Sequence, residues 1–163
     1  MKSKFLICIT GSPGVGKSTL AKFLVKKLGF DRLDLHHYYK RISTGYDRSK
    51  QSYDVDYKKF EKLVKEKLKD SQKGLVIDSH ISHLLPKRLV DVCIVLVYSD
   101  LKRLETRLRK RKYSKKKIRE NLDAEIFQVC LMEAKEKGHT VLLFDTAKGI
   151  DQQKVMKELN KSL

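Results

Sequence analysis

The segment Gly11 to Ser18, GSPGVGKS, constrains this chain more than any other. It follows a continuous apolar run, Lys4 to Thr10, and opens a stretch of helical periodicity from Lys17 to Leu28. A G-x-x-x-x-G-K-[ST] loop between a buried strand and a helix forms a concave nest of backbone N–H groups. The helix start adds partial positive charge where phosphates sit. The spacing assigns Lys17 to the β and γ phosphates of a nucleoside triphosphate and the Ser18 hydroxyl to Mg²⁺, with Thr19 reaching the α phosphate. The implied chemistry is phosphoryl transfer or hydrolysis of ATP.

The rest of the pattern agrees with that start. Short apolar runs at Gly74 to Asp78, Asp91 to Tyr98 and Thr140 to Asp145, with a weaker one at Asp31 to Leu35, read as buried strands. Helical patterns cover Asp54 to Lys69, Asp100 to Arg111, Ser114 to Lys137 and Asp151 to Leu159. Alternating strands and helices imply right-handed crossovers and a mostly parallel sheet covered on both faces, a three-layer α/β fold. Ligands in such sheets bind beyond the carboxyl ends of the strands. The polar stretch His36 to Tyr53 reads as irregular and is long enough to be functional.

A length of 163 residues suits one domain, and 40% hydrophobic with 35% charged residues excludes a disordered or membrane-embedded chain. Cys8, Cys93 and Cys130 lie far apart in apolar segments without CxxC pairing, which argues against a zinc site or a disulfide framework. They read as buried thiols in a reducing compartment. The apolar run Phe5 to Ile9 is too short for a signal-peptide core, and no segment approaches membrane-spanning length, so the expected location is cytoplasmic. A formal charge of +17 attracts polyanions such as nucleotides, RNA or acidic surfaces, or reflects adaptation to heat.

Two further segments carry chemistry. The strand GLVID ends at Asp78, as a carboxylate that holds Mg²⁺ beside a phosphate loop would; the alternative is a cap on the next turn. His80 either orients or deprotonates a water, or makes a structural hydrogen bond. From Lys102 to Arg119 there are eleven Lys or Arg residues and one acid, Glu105. Most form a solvated face, but a migrating phosphoryl group needs its charge neutralised, so at least one of Arg107, Arg109 and Arg111 should touch ATP. Lys115 to Lys117 read as surface charge or an RNA contact.

Taken together, GSPGVGKST, the strand end IDSH and RLRKRKYSKKKIRENLDAEIFQV resemble the short nucleoside monophosphate kinases called adenylate kinase isoenzyme 6. Glu125 to Val129, preceded by Arg111, Tyr113 and Lys116 to Ile118, is the more specific part of that resemblance. It implies a P-loop core of five parallel strands with helices on both faces, a monophosphate-binding region over about residues 34–54 and a short lid over about 110–120 of a single 1–163 domain. It further implies ATP binding by Gly14, Gly16, Lys17, Ser18 and Thr19, with Arg111 as the lid arginine. Asp78 and His80 match the family's D-x-H pair, implicated in ATP hydrolysis; Ser18 and Asp78 are the Mg²⁺ residues.

The implied activity is transfer of the ATP γ-phosphate to AMP or a related monophosphate, beside an ATPase acting in small ribosomal subunit maturation. The implied partners are the platform ribosomal protein universally numbered eleven and ribosomal RNA. The match is loosest over the monophosphate region, where Gly45, Tyr46 and Asp47 are the best landmark. Its His36, His37, Tyr38 and Tyr39 either pack on the domain or stack on a base. Phe127 and its apolar neighbours are expected in the core.

Overall fold

The computed structural model describes residues 4–163. Its main sheet has five strands: β1 (Phe5–Thr10), β2 (Asp31–Asp34), β5 (Gly74–Asp78), β6 (Val92–Val97) and β7 (Val141–Asp145). They run in the order β2-β5-β1-β6-β7, and each neighbouring pair is parallel. Side chains alternate across the pleat, so β1 sends Leu6 and Cys8 to one face and Ile7 and Ile9 to the other. On the first face the sheet packs against α3 (Tyr57–Asp70) through Phe60, Leu63 and Val64, and against α6 (Val129–Glu136) through Leu131 and Ala134. On the second lie α1 (Lys17–Leu28), α4 (Leu101–Lys110), α5 (Lys115–Ile126) and α7 (Gln152–Asn160), contributing Leu20, Leu24, Leu104, Leu108, Ile118 and Val155. The expected three-layer α/β fold is the one observed. Cys8 and Cys93 are buried, Cys130 is half-buried, and all three are free thiols.

The structure departs from the sequence pattern in three places. Residues 36–53 are not irregular: a short helix, α2 (Tyr39–Ile42), leads into an antiparallel hairpin, β3 (Ser43–Asp47) and β4 (Ser52–Val55). The hairpin strands carry polar and aromatic residues on an exposed ribbon, so no apolar alternation announces them. This hairpin also delays α3, whose N-cap Asp56 accepts from the N–H groups of Lys58 and Lys59.

The helix expected over Ser114 to Lys137 breaks in two, because Gln128 adopts a left-handed conformation (φ 51°). That break turns α6 onto β6 and β7. The third departure follows from it: Phe127 is not in the core but 71% exposed, and Ile126 and Met132 are exposed beside it. Among the described residues no helix is long and apolar enough to cross a membrane.

Candidate active site

The phosphate loop joins the carboxyl end of β1 to the start of α1. Gly16 caps that helix in a left-handed conformation (φ 101°), which a residue with a Cβ rarely adopts. At Gly11 a Cβ would stand 2.5 Å from the Leu96 carbonyl oxygen, so the loop lies tight on β6. Helices α3, α4, α5 and α7 are capped by the side chains of Asp56, Asp100, Ser114 and Asp151, whereas α1 has no side-chain cap. Its N–H groups are directed at the cleft instead, the arrangement that binds an anion.

Lys17 spans the loop, donating from Nζ to the carbonyls of Gly11 at 2.9 Å and Ser12 at 2.8 Å. Burial lowers its pKa to about 8, and the neighbouring Arg111 adds to the drop.

Three side chains brace the loop from other elements. The Ser12 hydroxyl donates to Glu125 Oε2 at 2.6 Å, while the Tyr98 N–H donates to Glu125 Oε1 at 2.7 Å. One buried carboxylate from α5 therefore ties the phosphate loop to the end of β6. Thr146 donates from Oγ1 to the Val15 carbonyl at 2.6 Å. Arg107 donates to the Gly14 carbonyl at 2.7 Å, with its guanidinium 4.9 Å from the centre of the Tyr98 ring. Of the three candidate arginines, Arg109 pairs with Glu105 on the outer face of α4, and Arg111 lines the cleft.

Asp78, at the end of β5, lies beside β1 and next to Asp34 of β2, its partner in register. It does not cap the following turn, where the Ser79 hydroxyl accepts from the Ile81 N–H. Its carboxylate accepts from the Ser18 hydroxyl at 3.2 Å and from Arg32 Nε and Nη2 at 2.8 and 2.9 Å. Ser18 and Asp78 present the hard oxygen donors that suit Mg²⁺. Among the described residues no group of three or more His, Cys, Asp or Glu could hold a metal unaided.

His80 lines the same cleft and is exposed to solvent there. Desolvation, reinforced by the positive charges of Lys17 and Lys117, holds its pKa below the ordinary histidine value, so the ring is neutral at pH 7.

The cleft encloses about 1000 Å³ between the phosphate loop, the hairpin and the segment 110–120. Tyr39 and Tyr53 stack with ring centres 5.5 Å apart, and Tyr46 meets Tyr53 edge-on at 5.0 Å. These rings form an aromatic wall facing the loop. The hairpin turn touches the opposite rim, because Gln51 Oε1 accepts from the Ser114 N–H at 2.8 Å and the Gln51 carbonyl from Lys117 Nζ at 2.6 Å. Lys117 is thus not free surface charge; it clamps the rim.

Gly14, Gly16, Lys17, Ser18, Thr19, Asp78, His80 and Arg111 all line this one cleft. Sequence reasoning missed Arg32, Asp34, Gln51 and the bracing role of Glu125. None of these had a local signal: β2 reads DRLD, with Leu33 its one apolar residue.

A family model described as an AAA domain matches residues 7–128. A Methanocaldococcus jannaschii protein named "Putative adenylate kinase" is 37% identical over 137 residues, which is 83% of this chain and 75% of that protein. The "adenylate kinase isoenzyme 6 homolog" of Caenorhabditis elegans is 36% identical over 80% of this chain and 72% of its own length, and that of Schizosaccharomyces pombe 37% identical over 80% and 74%. In fold the chain is similar to the shikimate kinase of Acinetobacter baumannii, with a TM-score of 0.62 at 14% identity, covering 98% of this chain and 95% of that one. At 36–37% identity over 80% or more of its length, the chain belongs to the adenylate kinase isoenzyme 6 family, a group of adenylate-kinase-like nucleotide kinases.

Proposed function

We propose that the chain transfers the γ-phosphate of ATP to AMP or a related nucleoside monophosphate. The observation that carries this reading is one cleft with two unlike walls, an uncapped helix start with Lys17 on one side and an aromatic hairpin on the other. The first wall suits a triphosphate and the second a base, and the cleft has room for both.

In this reading the α1 N–H groups and Lys17 hold the β and γ phosphates, Thr19 reaches the α phosphate, and Arg111 neutralises charge on the migrating group. A monophosphate oxygen bonds to the γ phosphorus as the bond to the β–γ bridging oxygen breaks, releasing ADP and the new diphosphate. Ser18 and Asp78 are the residues that would hold Mg²⁺, which when bound offsets phosphate charge. The chain's own contribution is positioning and exclusion of water, with no covalent intermediate.

Nucleotide accounting tests the reading. With ATP, Mg²⁺ and AMP, ADP should form without inorganic phosphate, and Lys17→Ala should abolish it. If no monophosphate yields a diphosphate, the kinase reading fails.

A second reading is ATP hydrolysis coupled to release of the platform ribosomal protein during small-subunit maturation. It is favoured by the position of the exposed Phe127 ridge. Two residues before Phe127, Glu125 is bonded to Ser12 of the phosphate loop, so a change in that loop reaches an apolar surface on a chain of charge +17. Phosphate release that responds to the purified ribosomal protein, and stops responding in Phe127→Glu, supports this reading; no response in the unaltered protein removes it. Neutral His80, with its lowered basicity, suits orienting a water more than deprotonating it.

A further inference from the structure

Asp78 is the most enclosed carboxylate of the cleft, with a side chain 3% exposed, and Arg32 engages both of its oxygens. The pair is bidentate, with the planar fork of the guanidinium matched to the carboxylate, the strongest arrangement available to two such groups. Arg32 also lies 3.7 Å from Asp34 Oδ2, so one cation sits between two carboxylates at the ends of adjacent strands. A divalent metal entering beside Ser18 would seek the same Asp78 oxygens. Two cations cannot both take the carboxylate on these terms.

We infer that Arg32 is a positioning residue that competes with the metal for Asp78, so that metal enters only together with nucleotide phosphates. The phosphates add negative charge on the loop side, and the metal they carry then displaces the guanidinium toward Asp34. Arg32 thereby sets how much free metal the protein ignores. Nothing in the phosphate-loop pattern requires an arginine here; β2 supplies it from 46 residues before Asp78 in sequence. The inference rests on reading Asp78 as the carboxylate that faces the metal.

Mn²⁺ is the probe, its free fraction read by electron paramagnetic resonance in titrations of the nucleotide-free protein. The unaltered protein should bind Mn²⁺ weakly, and Arg32→Gln at least about tenfold more tightly, since a neutral amide no longer opposes the metal. Arg32→Lys, a point charge without the fork, should fall between them and serves as the measure if Arg32→Gln does not fold. The tighter site should vanish in Arg32→Gln with Asp78→Asn. Mn²⁺ affinity of both variants within twofold of the unaltered protein, or a tightened site that survives Asp78→Asn, overturns the inference. Phosphoryl transfer is assayed separately on the same preparations. A tightened, Asp78-dependent site in a protein that transfers no phosphate leaves the inference standing and removes the kinase reading; active transfer without the tightened site does the reverse.

Discussion

Replacing Glu125 by alanine should loosen the phosphate loop more than any surface change on α5. The side chain is 8% exposed and accepts two short hydrogen bonds, from the Ser12 hydroxyl at 2.6 Å and the Tyr98 N–H at 2.7 Å. Truncation strands the Tyr98 N–H in a dry site, and an unsatisfied buried donor costs about 1–3 kcal/mol. The Ser12 bond adds about 1 kcal/mol more, since its hydroxyl can partly recover by rotating. A loss of about 3 kcal/mol should lower the midpoint of thermal unfolding by roughly 6–12 °C for a chain of this size.

Glu125→Gln separates geometry from bulk. Its amide oxygen can still accept from Tyr98, and the Ser12 hydroxyl can turn to accept from the amide NH₂, so the expected loss is only about 1 kcal/mol. Urea unfolding followed by circular dichroism, with and without saturating ATP, measures both variants. ATP should stabilise Glu125→Ala less than the unaltered protein, because Ser12 belongs to the loop that cradles the phosphates. If alanine costs under about 0.5 kcal/mol, or glutamine costs as much as alanine, the two-bond account of this residue is wrong.

Phosphates should restore the charge that burial penalises on Lys17, raising its pKa above the value of about 8 that it has in the free cleft. ATP affinity should therefore be full below pH 8 and fall as pH rises through it; calorimetry from pH 7 to 9.5 checks this, and Lys17→Arg should flatten the slope. His83, buried beside Thr10 with Oγ1 to Nδ1 at 2.6 Å, has its pKa pushed down from 6.5 to about 4 by burial. Between those values the unfolded chain binds the proton and the folded one does not. Stability should thus fall by on the order of 3 kcal/mol from pH 6.5 to 4, and less in His83→Gln, by urea midpoints across that range. His80→Ala should reduce ATP hydrolysis more than monophosphate phosphorylation, since only hydrolysis needs a positioned water; equal losses in a coupled assay would refute it. Asp78→Ala should damage both activities.

Residues that act through their sequence neighbours were legible from the chain alone. The phosphate loop, the five strands of the main sheet and the helix starts at Asp100, Ser114 and Asp151 are local patterns: glycines where the backbone must turn left-handed, apolar runs where a strand is buried, and short oxygen-bearing side chains where a helix begins. Asp78 stood out because it closes such a run, whereas the pattern alone left Arg107, Arg109 and Arg111 as alternatives and only the family resemblance singled out Arg111.

Contacts between distant segments were decided by the tertiary structure. Arg32 meets Asp78 because the sheet order sets β2 beside β5, and Glu125 meets Ser12 across 113 residues because α5 packs against the end of β6. Periodicity also counted Ile126 and Phe127 as apolar without knowing that Gln128 would break the helix there and leave them in solvent. Apolar spacing reports which face of an element could be buried; whether anything covers that face depends on where the next element goes.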